Sequence, residues 1–301
     1  MQTIERRGEE TCQGPKGIPL AFHTYGNRTN APAVILVHGW MQAEQCWRKQ
    51  LLTLSQQHYV VTLDLPGHGY SGAVTPNQVS PDLWAHSVRA VLEALRLHDR
   101  PVVLVGWSFG GAVINLYMQR YGIEQVAGIV TFGTTIAAIT IQDLGGPPVV
   151  EAMKMNDDQY DPAVRLAAFY QFQQLLTWNP PSPDEYYETL GYNRMALDNL
   201  WHVNISAVMQ AFGTGVAQKV YQAGIPLLIV QGKHDAITPL EVAFALQKKV
   251  PHAELLVLEC GHSAFLEEPE MVNAALLHFL GSLKERPFGR QCGDILVRGE
   301  T

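Results

Sequence analysis

The stretch Val102–Val113, VVLVGWSFGGAV, decides how this chain is read. Residues 101–106, PVVLVG, form a short apolar run with the character of a buried strand. From Ser108 to Tyr121 the pattern is helical, and Gly122 closes it. Strand and helix are joined by almost no linker. Ser108 stands at the apex, between Trp107 and Phe109, with glycines at 106, 110 and 111. So sharp a turn forces its apex residue into an unfavourable backbone conformation, and glycines two positions to either side remove side chains that would clash. The apex hydroxyl then projects above the carboxyl end of the strand, at the start of the helix. Gly-x-Ser-x-Gly in this setting is a nucleophile elbow. A serine acting only as a helix cap needs no flanking glycines.

Outward from the elbow, short apolar runs alternate with helical ones, which predicts a mostly parallel twisted sheet flanked by helices. Strands are expected at 32–39, 59–65, 101–106, 126–133, 225–232 and 253–259, and helices at 42–57, 80–98, 108–121, 239–249 and 269–283. Ser80 and Pro81 form the start signal of the second helix. From Thr134 to Ala223 no clear strand is present. That segment is helical in character, rich in aromatics, and broken once by NPPSP (179–183). The predicted organisation is an α/β core of residues 1–133 and 224–283, a helical cap insert of 134–223, and a polar tail of 284–301.

A serine hydroxyl is a poor nucleophile near neutral pH, so it needs a base, and the base needs an orienting acid. Of eleven histidines, His262 lies in LECGHSAFLEEP, directly after the last apolar strand, where parallel sheets place their chemistry. His86 and His98 fall in or after a helix, and His252 precedes a strand at its wrong end. Asp235, in LLIVQGKHDAITP, follows the preceding strand at its carboxyl end. Glu259 ends a strand with no loop in which to swing, and Asp143 is ten residues removed from its strand. The chain order Ser108, Asp235, His262 is the one this arrangement requires on such a sheet. An oxyanion needs backbone N–H donors. The expected pair is Phe109, which follows the serine, and Trp40, in the loop VHGWMQ (37–42). Gly39 lets that loop approach the ligand, and His38 is read as structural.

Composition sets the remaining bounds. The chain has 301 residues, 47% hydrophobic and 16% charged, which is a globular composition. The formal net charge of −7 disfavours nucleic acid and anionic membrane as partners. Cys12, Cys46, Cys260 and Cys292 are scattered without ligand spacing, and the first ten residues hold no apolar signal core. Both features are expected of reduced thiols in a cytoplasmic protein. GHGYSG (67–72) satisfies Gly-x-Gly-x-x-Gly, but prolines follow where a dinucleotide-binding helix would start. His68 is read as a loop side chain at the pocket edge. No cofactor and no metal are expected.

His38-Gly39-Trp40, DLPGHGYS (64–71), GWSFGG (106–111), GKHDAITP (232–239) and GHSAFLEEP (261–269) run in register over about residues 20–283. Together they resemble the serine α/β-hydrolase superfamily. HGW with GWS-x-GG is most similar to biotin-pathway carboxylesterases, and similar also to cofactor-free esterases of the haloperoxidase type. The resemblance implies a cap between the sixth and seventh strands. The expected activity is hydrolysis of a small apolar or aromatic carboxylic ester through an acyl-enzyme on Ser108. Thioesterase, lactonase, perhydrolase and carbon–carbon hydrolase activities share the triad and stay open. A carbon–carbon hydrolase wants a cation near its substrate's carboxylate, and Arg165 and Arg194 are the arginines of the insert. A hydrolase-like small-molecule receptor is the rival from another class.

Overall fold

Six strands run parallel: Ala33–Val37 (β3), Val60–Leu63 (β4), Val102–Trp107 (β5), Val126–Phe132 (β6), Leu227–Gly232 (β7) and Glu254–Leu258 (β8). Two more, Arg6–Gln13 (β1) and Pro19–Tyr25 (β2), form an antiparallel pair that joins the sheet through β2 against β4. The order across the sheet is β1-β2-β4-β3-β5-β6-β7-β8. These features come from a computed structural model that describes residues 6–137, 144–157, 159–205, 208 and 215–283. Asp143, Cys292 and the tail 284–301 lie outside the described residues.

The central strands are continuous apolar runs because helices cover both faces of a parallel sheet. Every residue of AVILV in β3 and of VVLVGW in β5 is buried. The N-terminal pair is an addition to the sequence reading, whose first strand is at 32–39. β1, RRGEETCQ, sits at the sheet edge and carries charge instead of an apolar run, as edge strands do.

The core helices are Arg48–Ser55 (α1), Pro81–Ala94 (α2) and Phe109–Tyr121 (α3). The helix expected from residue 42 starts later, because Gln42 is drawn into a buried amide cluster and Glu44–Trp47 form a 3₁₀ turn. Ser80 occupies the N-cap of α2 with extended backbone and no side-chain cap bond, and Pro81 takes the first helical position. Between β6 and β7 the chain forms the helical insert: Gly146–Ala152 (α4), Pro162–Leu175 (α5) and Pro183–Leu200 (α6). NPPSP becomes the α5–α6 connection, and Ser182 with Glu185 makes a capping box at the start of α6. Ala217–Gln222 (α7), Leu240–Lys249 (α8), Ala264–Glu267 (α9) and Pro269–Leu283 (α10) complete the described helices.

An aromatic cluster underlies the carboxyl ends of the strands. Phe265 packs against Trp47, Trp107 and Phe132, with centroids 4.4, 4.8 and 5.6 Å away. All four rings are fully buried. Phe265→Ala removes the shared ring and is expected to cost about 3–5 kcal/mol. Urea unfolding checks this, and a loss under about 1 kcal/mol contradicts the packing role.

Candidate active site

β3 and β5 are neighbours, but the chain leaves β3 toward β4 on one side and reaches β5 on the other. At such a switch point the loops after the two strands splay apart and open a crevice at the carboxyl edge. Gly39 and Trp40 follow β3; Ser108 follows β5. Ser108 has φ 51° and ψ −120°, a region that L-residues rarely occupy. The strain is held from both sides: Ser108 N donates to Phe132 O at 2.9 Å, and Gly111 N donates to Ser108 O at 2.9 Å. The flanking glycines are required by close approach. A Cβ on Gly110 would collide with the carbonyls of Val37 and His38, and one on Gly106 with the backbone of Gly110 and Gly111.

Asp235 and His262 meet at the ends of β7 and β8. His262 Nδ1 lies 2.8 Å from Asp235 Oδ2, and both side chains are fully buried. The carboxylate is satisfied on every side. Oδ1 accepts from the amides of Ile237 and Thr238, each at 2.8 Å, and Oδ2 also accepts from Gln231 Nε2 at 3.0 Å. Because Asp235 is acceptor-only, the imidazole carries its proton on Nδ1, which leaves Nε2 with a lone pair. Nε2 is buried and has no hydrogen-bond partner. The main chain of His262 is fixed as well, because Trp107 Nε1 donates to its carbonyl oxygen at 3.0 Å. Gly133, next to the Phe132 carbonyl that holds Ser108, packs directly against the imidazole and the Asp235 carboxylate. The Ser108 turn and the Asp235–His262 pair therefore both meet the end of β6. No hydrogen bond joins Ser108 Oγ to Nε2 here, and such contacts commonly close only with substrate bound.

An apolar cavity of about 50 Å³ opens beside Ser108. Trp40, Phe109 and Gly133 line it from the core, and Leu144, Met153, Phe172 and Ile205 from the insert. Among the described residues its lining includes no charged side chain. Arg165 stacks on Trp201 and Arg194 is exposed; neither reaches the cavity.

The Trp40 loop is pinned by buried neutral groups. Trp40 Nε1 donates to Asn156 Oδ1 at 2.8 Å, and Asn156 in turn donates to Leu200 O at 2.8 Å. His38 Nε2 accepts from Leu65 N at 3.0 Å, so its proton is on Nδ1, which donates to Gly39 O at 2.8 Å. Burial, the largest cause, drives His38 down to about 4. His68 repeats the pattern: it accepts from Met41 N, donates to Pro66 O, and is pushed well below the ordinary histidine value by burial. The sequence reading placed His68 at the pocket edge. It is fully buried and holds the Trp40 loop instead. Glu259 is exposed, 2.6 Å from Lys233 and 2.9 Å from His234, whereas His262 Nδ1 is bonded to Asp235.

Sequence reasoning did not single out Gln231, Asn156 or Glu267. Gln231 left a signal, an amide inside the apolar strand IPLLIVQG. Asn156 left none, because its partners are remote in sequence.

The family model described as "alpha/beta hydrolase fold" matches residues 32–269, and the chain belongs to that family. It is 26% identical over 279 residues to a pimeloyl-[acyl-carrier protein] methyl ester esterase of Xylella fastidiosa, covering 84% of this chain and 96% of that protein. It is 29% identical over 289 residues to a non-heme haloperoxidase of Rhodococcus erythropolis, covering 88% and 93%. A Burkholderia cenocepacia protein provisionally assigned as an aryl esterase superimposes with TM-score 0.81 at 28% identity, over 93% of this chain and 100% of that one. The family and these relatives mark the chain as a hydrolase of esterase-like type. Among the described residues no helix is long and apolar enough to cross a membrane.

Two outcomes follow from this geometry. Ser108→Gly relieves the left-handed backbone strain while Ser108→Ala retains it, so the glycine variant is expected to be more stable by about 1–2 kcal/mol. Equal melting temperatures contradict the strain. For His38 the folded value lies below the unfolded one of about 6.5, so its contribution to stability is full above that pH and is lost as pH falls toward 4. The stability advantage of wild type over His38→Gln should shrink between about pH 7 and 4 in chemical unfolding. A pH-independent difference contradicts the buried neutral imidazole.

Proposed function

We propose that this protein is a serine esterase that cleaves carboxylic esters with an uncharged, apolar or aromatic acyl group. The observation that carries this reading is the buried Asp235–His262 pair, with its unpartnered Nε2, beside a strained serine that lines an apolar cavity.

Ser108 Oγ attacks the ester carbon as His262 Nε2 takes the hydroxyl proton. The carbonyl oxygen becomes an oxyanion and accepts hydrogen bonds from the backbone amides of Trp40 and Phe109, donors of a kind worth ~10²-fold or more each. Collapse breaks the bond to the alkoxy oxygen, and the imidazolium hands its proton to the leaving alcohol. The acyl group is now on Ser108 Oγ. A water then gives a proton to Nε2 and attacks the acyl carbon, which releases the carboxylic acid and returns the proton to Ser108. Asp235 keeps the imidazole in the Nδ1–H tautomer and stabilises its charged form. Every proton moved is carried by this chain's own side chains.

The cavity lining supports the substrate class. An anionic acyl group there would be desolvated without a cationic partner, which costs several kcal/mol. The positions of Arg165 and Arg194 argue against a carbon–carbon hydrolase for the same reason. The esterase names of relatives at 26–28% identity point the same way.

Steady-state hydrolysis of p-nitrophenyl esters tests this. Ser108→Ala and His262→Ala are each expected to lower kcat by ~10³-fold or more. The acetyl or butyryl ester should exceed the succinyl half-ester in kcat/KM by more than ~10-fold. Full activity in Ser108→Ala overturns the mechanism, and a preference for the anionic ester overturns the substrate class.

A further inference from the structure

The insert touches the loop that carries His262 through one side chain outside the triad. Glu267 ends α9, five residues beyond the imidazole. Its Oε1 accepts from Gly261 N at 2.9 Å, the amide directly before His262. Its Oε2 accepts from Trp178 N at 3.0 Å and Asn179 N at 2.8 Å, the amides of the α5–α6 connection. One carboxylate therefore holds three backbone donors from two segments about 80 residues apart.

Neighbouring contacts tighten the same seam. Ser263 N donates to Leu176 O at 2.9 Å, which places a second insert contact on the residue after His262. Gly261 lies so close to the backbone of Thr177 and Trp178 that a side chain there would collide with it. The Trp178 indole stacks on the His234 ring at 4.2 Å and 17°, beside Asp235. Both loops bearing the acid–base pair are thus fastened to one short stretch of the insert. Burial pushes the Glu267 carboxyl above its ordinary range, while the three amide donors oppose that shift.

We propose that Glu267 is a positioning residue: its carboxylate clips the α5–α6 connection to the His262 loop, so that seating of the insert and aiming of the imidazole are one event. A base displaced by about 1 Å can lose ~10²-fold in rate, so the clip sets kcat as well as the shape of the pocket. Only the kinetic part of this inference rests on the esterase reading.

Glu267→Gln tests it. A glutamine has the same shape but one acceptor oxygen, so its amide must face one set of donors and break that side. Hydrogen exchange followed by mass spectrometry reports on the amides themselves. The expected result is exchange faster by ~10-fold or more in both 176–182 and 259–263, with β5 and α3 unchanged. The kcat for p-nitrophenyl acetate, the ester with the smallest acyl group in the series, should fall ~10-fold or more with a smaller change in KM. Trp178→Ala, which keeps the backbone amide on Glu267 but removes the indole stacked on His234, should likewise speed exchange in 259–263. Faster exchange confined to 176–182 with acetate kcat within ~2-fold of wild type overturns the proposal, because Glu267 then serves the insert alone. A uniform rise across the sheet overturns it too, since that is a general structural role. If the wild type hydrolyses no ester, the esterase reading has failed, and the paired exchange response still decides the clip.

Discussion

The hydrogen bond between Asp235 and His262 is the interaction around which this molecule is arranged. A carboxylate and an imidazole without solvent exposure are costly unless each polar atom finds a partner. Asp235 has two amides of its own turn, the Gln231 side chain and the imidazole. Within the pair itself, the atom left without a partner is His262 Nε2. An unpaired ring nitrogen beside a fully bonded carboxylate is a stored capacity to accept a proton. Ser108 stands on a backbone that sterics disfavour and lines a mostly apolar cavity, and both it and the imidazole meet the end of β6.

How the insert is attached matters as much as where. Gln42 of the core, Gln173 of α5 and Asn193 of α6 share a buried amide cluster with bonds of 2.9–3.1 Å. Asn156 bridges the Trp40 indole to the end of α6. Lys49 reaches Glu185 at 3.0 Å at the exposed rim, where an ion pair adds little. The seating of the insert therefore depends on buried amides, on the Glu267 carboxylate and on apolar packing. These contacts converge on the Trp40 loop and the His262 loop, the two segments on which the proposed mechanism draws.

Much of this architecture is legible in the sequence because it comes from local physics. β3, β5, β6 and β7 are apolar runs that only a sheet covered on both faces can bury. The elbow is legible because glycines ringing a serine at a strand–helix junction meet a steric need that an ordinary capping serine does not have. Asp235 and His262 follow from one rule, that parallel strands present their chemistry at their carboxyl ends. β1 escaped the reading because an edge strand needs no apolar run, and β2, PLAFHTY, because buried His23 and Thr24 break up its apolar pattern. For His68 the sequence shows only a loop side chain at the pocket edge, and its burial follows from tertiary contacts with Met41 and Trp40. Asn156 and Glu267 bind backbone groups remote along the chain, and nothing in their own neighbourhoods marks those partners.

The central claim is that three distant side chains make one hydroxyl reactive. Mass-mapped labelling with a fluorophosphonate measures that reactivity directly, independent of any guess at the substrate. The account predicts a single adduct on Ser108, formed rapidly in wild type and slowed by orders of magnitude when His262 is replaced. Labelling elsewhere, or a Ser108 adduct that forms just as fast without the imidazole, would contradict it.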